Sequence, residues 1–288
     1  MHYVRPPVPV RSETRVRHAD RDLQKIIDAS PGVYQVKLNG VGESTLHRQL
    51  FDMIDYLVER DIWIHLTCNG SLLHRKDSYR RMVESGLGEL TLSFDGATKE
   101  VFEAIRPGAK FERIRENFKL VNDYANAKGL LLTRGHTVVQ AENRHQLTKI
   151  VEVAAELGFR RHNFGLGIFD FGNPTLGEQL DSIRDFDPVT EDEGWGLVEQ
   201  GKKLGIEVTF LPNEKMFSVD DICPYPFERV FVGTSGKLAP CFRVNPEFFD
   251  LGNARNFDEE WNGEKFQRFR NGHLSGDIPE ACKFCYKS

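Results

Sequence analysis

Apolar positions alternate along the first two hundred residues between two spacings. Short runs rich in Val, Ile, Leu and Phe mark strands, and stretches with apolar residues three and four apart mark amphipathic helices. Strands are predicted over Val33–Leu38, Ile62–Thr67 and Glu89–Phe94, near Leu130–Val139, and near His162–Phe169. Helices are predicted over Ala19–Ala29, with Leu23, Ile26 and Ile27 on one face, and over Gln49–Glu59. Another ends at Ser85-Gly86, and one over Gln146–Leu157 stops at Gly158, a residue suited to a helix C-cap. Pro-rich Met1–Val10 reads as irregular, and Pro31-Gly32 breaks the first helix before the first strand. Five strand–helix units of this kind imply a parallel sheet covered by helices.

Residues 170–190 are polar, with Gly and Pro, and read as an extended loop. A helix over Glu191–Leu204 and a strand over Ile206–Leu211 follow. The tail then changes texture, with short strands, a Thr234-Ser-Gly236 turn and a small helix near Phe257–Arg270. Two domains are expected, an α/β domain over 1–205 and a small α+β domain over 206–288.

Composition narrows the functional classes. A net charge of −5 gives no basic footprint for a nucleic-acid partner. No apolar run approaches a membrane span and the N-terminus has no signal-peptide core, so a cytoplasmic protein with no membrane partner is expected. Of the 5 cysteines, Cys68 stands alone and Cys223, Cys241, Cys282 and Cys285 lie in the last quarter. An odd count argues against a disulfide framework, and the terminal Cys-Lys-Phe-Cys suggests a structural zinc or an iron–sulfur cluster.

Ligands of parallel α/β folds bind at the carboxyl ends of strands. Those ends carry Asn39-Gly-Val-Gly-Glu43, Thr67-Cys-Asn-Gly70 and Ser93-Phe-Asp-Gly96, and the fourth strand carries Arg134 and His136. Each alone is ordinary turn chemistry. Three in succession point to one shared site, suited to a small polar ligand with an amine, a carboxylate and a ribose.

Gly40-Val-Gly-Glu43 resembles the Gly-Gly-Glu-Pro segment of radical S-adenosylmethionine (SAM) enzymes, with Ser44 in place of the proline. Thr67-Cys-Asn-Gly70 resembles their Thr-Thr-Asn-Gly strand end, and Leu92–Gly96 with Ile105-Arg-Pro107 and Phe111-Glu-Arg113 resembles a later segment. Cys223-Pro, Gly236-Lys-Leu-Ala-Pro-Cys241, Leu251-Gly-Asn253, Trp261-Asn262 and Cys282-Lys-Phe-Cys285 resemble the SPASM or twitch extension.

The resemblance implies a partial (β/α)6 TIM-like barrel followed by a SPASM/twitch domain. It places Gly42 and Glu43 against the amino group of SAM, Ser93 and Asp95 at its polar end or ribose, and Asn69 in the pocket lining. Arg134 is either a partner of the SAM carboxylate or a salt-bridged strand residue. Cys223, Cys241, Cys282 and Cys285 would hold an auxiliary 4Fe–4S cluster. The family's Cys-x3-Cys-x2-Cys motif, which holds the SAM-cleaving cluster, does not occur in these residues. With five strands counted, the expectation is an N-terminally truncated chain lacking the first barrel strand, with a second 4Fe–4S cluster only where that motif is present in the native protein.

The activity the resemblance implies is hydrogen abstraction by a 5′-deoxyadenosyl radical from a small polar molecule or peptide, with an oxidation as one outcome. A reductant such as flavodoxin or ferredoxin would supply electrons. The alternatives are a non-catalytic iron–sulfur electron-transfer or binding protein and a zinc-stabilised binding module. Cys68 is expected to be a small buried hydrophobe. His136, His145 and His162 are expected to pack or lie on the surface, and Trp195 and Trp261 to lie in the core or between domains.

Overall fold

A computed structural model describes residues 21–40, 42–168, 180–211, 216–244, 249 and 251–287. Helix α1 (Arg21–Asp28) precedes six parallel strands that pair in chain order: β1 (Gln35–Leu38), β2 (Trp63–Cys68), β3 (Glu89–Ser93), β4 (Thr133–Val138), β5 (Arg161–Gly165) and β6 (Glu207–Leu211). Between them run α2 (Leu50–Val58), α3 (Ser78–Glu84), α4 (Lys99–Ile105), α5 (Phe111–Ala127), α6 (Leu147–Glu156) and α7 (Glu191–Leu204). Each strand is hydrogen-bonded to the next in sequence, so the sheet never doubles back. That is the winding of a partial (β/α)6 barrel and not of a doubly wound sheet.

Strand alternation divides the sheet into two faces. Ile64, Leu66 and Cys68 of β2 and Leu90 and Leu92 of β3 are buried on the face that carries the helices. Phe94, Phe102, Phe118 and Phe159 pack edge-on or tilted in the same layer. Full burial of such side chains contributes about 1.5–3 kcal/mol each. The opposite face, the inner one in this winding, is polar. Register sets Lys37 beside His65, His65 beside Glu89, Thr91 beside Arg134, Ser93 beside His136, and His136 beside Asn163.

Contacts divide the described residues into two units, the first within 33–166 and 186–211 and the second within 21–32, 167–185 and 212–288. Three expectations change. The strand expected in the tail at 206–211 hydrogen-bonds to β5 along its length and is the sixth strand of the sheet, one more than the five expected there. Helix α1, expected in the barrel, instead packs Ile26 with Leu238, Leu251, Phe257 and Phe266 in the core of the second unit. Within the loop expected over 170–190, residues 180–184 are helical. The expectations for Met1–Val10, for a first strand before α1 and for residues 170–179 fall outside the described residues.

The second unit is built on a two-stranded antiparallel hairpin, β7 (Phe231–Val232) and β8 (Leu238–Ala239), with α8 (Tyr225–Glu228) before it. Helices α9 (Phe257–Glu260) and α10 (Glu264–Ser275) follow, and a 3-10 turn over Glu280–Cys285 carries the last two cysteines. Trp261 stacks on Phe257 and lies against Phe266, half-buried at the edge of this unit's core. Trp195 departs from the expectation of a core or interdomain place: it is 60 % exposed on α7.

Candidate functional site

The loop after β1 is organised by Glu43. One carboxylate oxygen accepts the Thr45 backbone N–H at 3.1 Å, capping a 3-10 turn over Ser44–Leu46. The other accepts the Asn69 backbone N–H at 2.7 Å, tying this loop to the one after β2. Asn69 turns its own side chain onto Ser71 N–H at 2.9 Å, an Asx turn. Gly70 adopts φ +76° there, and a Cβ on it would lie 2.2 Å from the Phe118 ring, so only glycine closes this turn. Asn117 of α5 donates to Gly70 C=O at 2.7 Å. Gly42 is exposed, with no atom within 4 Å of where a Cβ would stand.

At the end of β3, Asp95 is 3 % exposed and both its oxygens are engaged. One accepts Val138 N–H at 2.8 Å; the other takes Arg106 Nε at 2.7 Å in an ion pair. Asn143 Nδ2 donates to the Asp95 carbonyl at 3.0 Å. Asp95 therefore braces the ends of β3 and β4 to the residue following α4, while half-buried Ser93 faces the polar side in register with His136.

Arg134 lies opposite Thr91, two residues nearer the amino ends than Ser93 and His136. At about 3.3 Å per residue that is roughly 7 Å below the loop level. Its guanidinium pairs with Glu89 at 3.1 Å, and Arg161 meets the same carboxylate at 3.0 Å. This is the salt-bridged alternative stated for Arg134.

The inner polar face contains groups that motif reading passed over. His65 Nε2 lies 2.8 Å from Thr91 Oγ1 and 3.7 Å from Glu89. Burial pushes His65 down to about 4, and the charges of Lys37 and Arg134 act in the same direction, against Glu89. Burial would raise Glu89, but Arg134 and Arg161 outweigh it and hold that carboxyl below its ordinary value. His136 is lowered by burial, against the pull of Asp95 and a hydrogen bond to Asn163. The signal was present in the sequence: Lys37, His65, Glu89, Arg134 and His136 all occupy the polar phase of otherwise apolar strands. His162, by contrast, is fully buried on the other face, 3.0 Å from Thr137 Oγ1 and against Phe164, a packing histidine.

Cys68 faces the helices at 2 % exposure, and burial pushes its thiol well above the ordinary range. It is the small buried hydrophobe expected, and Thr67 beside it has the inward phase.

In the second unit the four tail cysteines lie within electrostatic reach of one another. Burial raises Cys223, Cys241 and Cys282, and each also feels the other tail thiols; Cys241 is pushed up to about 11. Backbone N–H groups of Tyr225 and of Arg243 and Val244 offset this at Cys223 and Cys241. Arg243 Nη1 donates to Cys285 Sγ at 3.3 Å. The Tyr286 hydroxyl accepts Cys223 N–H at 2.8 Å and meets buried His273 Nδ1 at 2.7 Å, which pins the first cysteine to the last turn.

Among the described residues no three His, Cys, Asp or Glu side chains converge to hold one metal ion. A zinc site needs its sulfurs at about 2.3 Å from one point. Four thiols that feel one another's charge, with backbone N–H donors at Cys223 and Cys241, fit the wider frame of an iron–sulfur cluster. Cys223, Cys241, Cys282 and Cys285 would hold it.

Residues 9–154 match the Radical SAM superfamily, and residues 223–286 match SPASM, described as an iron–sulfur cluster-binding domain. A "Probable GTP 3′,8-cyclase" of Saccharolobus islandicus is 30 % identical over 237 residues, covering 76 % of this chain and 71 % of that protein. Streptococcus suis SuiB is similar in structure, with a TM-score of 0.64 and 15 % identity over 87 % of this chain; the chain spans 61 % of the SuiB chain. The structure described as native anSMEcpe with bound AdoMet gives a TM-score of 0.59 at 14 % identity, covering 94 % of this chain and 82 % of that one.

Proposed function

The chain belongs to the radical SAM superfamily and carries a SPASM iron–sulfur domain, and from that premise we propose that it binds SAM at the carboxyl ends of β1–β3 and abstracts hydrogen from a small polar molecule or peptide on the inner face of the sheet. One observation carries this reading: the inner face is lined by polar side chains from β1 to β5, in register, directly below the loops that hold Gly42, Glu43 and Asn69. Apolar strands do not bury His65, Glu89 and Arg134 on one face without a polar occupant or a complete ion-pair network to repay desolvation.

Each residue then has a physical task. Glu43 holds the two loops together and presents a carboxylate beside the exposed Gly42 backbone, where a ligand's ammonium group can approach. Asn69 shapes the pocket wall through its Asx turn. Ser93 offers a hydroxyl to the ligand's polar end, and Asp95 acts through Arg106 and Val138 to keep that strand end in place. Arg134 and Glu89 form the charged floor. His65, neutral at pH 7, can accept or donate at Nε2. SAM, once bound, would supply the 5′-deoxyadenosyl radical that takes the hydrogen atom.

The tail cysteines would hold an auxiliary 4Fe–4S cluster, suited to receiving an electron from the substrate or to fixing the fold of the domain. A peptide substrate is supported by the structure of SuiB described as bound to precursor peptide SuiA. A small flavodoxin or ferredoxin is the reductant class proposed. No helix among the described residues is long and apolar enough to cross a membrane.

Anaerobic incubation with SAM and dithionite, with 5′-deoxyadenosine read by chromatography, tests the assignment. The 288 residues contain no Cys-x3-Cys-x2-Cys. The comparison is therefore between this chain and the same chain with a segment bearing that motif ahead of residue 1. Product formation only with the segment is expected; no product in either overturns the reading.

A further inference from the structure

One charged side chain in the second unit reaches the cysteine site. Arg243 lies two residues after Cys241, and its Nη1 donates to Cys285 Sγ at 3.3 Å. Its backbone N–H bonds the Cys241 thiol, and its charge reaches Cys223, where it partly opposes the upward push of burial. Three of the four candidate cluster thiols are thus in contact with Arg243 or within its electrostatic reach. Arg229 acts on Cys223 as well, with a smaller effect.

Reduction of a cluster adds one negative charge to a frame already carrying four thiolates. Hydrogen bonds to ligand sulfurs and nearby cations favour the more negative state, and so raise the potential. A guanidinium does this more firmly than a neutral donor, because the bond is charge-assisted and the group stays protonated at any working pH.

We propose that Arg243, through its bond to Cys285 Sγ, is the residue that raises the reduction potential of the auxiliary cluster and so makes it an electron acceptor. The proposal rests on the cluster assignment above. The step is a one-electron transfer to the cluster from the carbon-centred substrate radical of the proposed function or, in a redox titration, from a reduced dye; no bond is made or broken and no proton moves in that transfer. Arg243 is a positioning residue in this account, since it touches a ligand sulfur and not the reacting substrate.

The test is an anaerobic redox titration of the reconstituted full chain, followed by electron paramagnetic resonance, with iron counted in the same samples. Arg243→Lys keeps a charge without the fork, Arg243→Gln keeps a donor without charge, and Arg243→Met removes both. All three are expected to hold wild-type iron. In Arg243→Met the ratio of reduced to oxidised cluster at a fixed potential should fall at least tenfold, about 59 mV for one electron. Arg243→Lys should fall between wild type and Met. Equal midpoints in wild type and Met overturn the proposal, as does loss of iron in all three variants, which would make Arg243 an assembly residue. Absence of iron in the wild type is a different failure, that of the cluster assignment itself.

Discussion

The carboxylate of Glu43 accepts the backbone N–H of Asn69 at 2.7 Å, so the ends of two neighbouring strands are joined by one side chain. The same carboxylate caps the turn at Thr45. Removing it leaves a half-buried N–H without its charged acceptor, a loss of about 1.5–3 kcal/mol. Glu43→Ala should lower the denaturant midpoint accordingly, and Glu43→Gln, which keeps one acceptor oxygen, by less. Identical midpoints for wild type and Glu43→Ala would show that the bond does not hold the loops.

Asp95 and Arg106 pose a sharper case, because the carboxylate is 3 % exposed. Breaking a buried pair by neutralising one partner costs about 3–5 kcal/mol. Arg106→Met, which leaves the buried Asp95 carboxylate without its counter-charge, should destabilise the fold within that range, while Asp95→Asn, which leaves a guanidinium 30 % exposed to solvent, should cost less but still more than an exposed pair. Equilibrium unfolding in urea measures both; an Asp95→Asn change under about 1 kcal/mol, the scale of exposed pairs, would remove its bracing role.

Two histidines set an acid limit. Burial drives His65 to about 4 and His162 to about 3, against an ordinary value of about 6.5. Between those values the unfolded chain binds more protons than the folded one. Stability is therefore complete above pH 6.5 and falls as pH drops towards 4, by at most about 1.4 kcal/mol per unit for each histidine. Urea midpoints should be lower at pH 5 than at pH 7, and His65→Gln should flatten the slope. A midpoint unchanged between those pH values contradicts the assignment of both rings as buried and neutral.

Gly70 offers a steric test. Its positive φ and the Phe118 ring 2.2 Å from a Cβ position leave no room for a side chain. Gly70→Ala is expected to destabilise by more than about 1 kcal/mol, since it combines left-handed strain with displacement of Phe118. Thermal unfolding of Gly70→Ala beside Gly129→Ala, a positive-φ glycine with open space around it, separates the two effects. Equal losses would mean that Phe118 yields freely.

The parallel sheet was legible because β2 to β5 combine apolar runs with Gly-bearing turns, and each expected strand lies within a few residues of an observed one. The grouping of the four tail cysteines in one small unit was legible from their spacing. The place of α1 was not: Ile26 and Ile27 show that the helix has a buried face, but sequence does not say which core receives it, and the partner is Phe257 and Phe266 more than two hundred residues away. Strand β6 was recognised as a strand but not as part of the sheet, because Val208 and Phe210 look alike in either setting. Arg243 was missed because nothing in Cys-Phe-Arg marks the arginine; only folding brings it to Cys285.

Electron transfer in the second unit depends on the four tail thiols holding a cluster. Anaerobic reconstitution of the chain, with iron, sulfide and zinc counted together, tests this most directly. About four irons and four sulfides per chain, lost when Cys282 and Cys285 are both replaced by Ala, is the predicted result. Zinc without iron would contradict it.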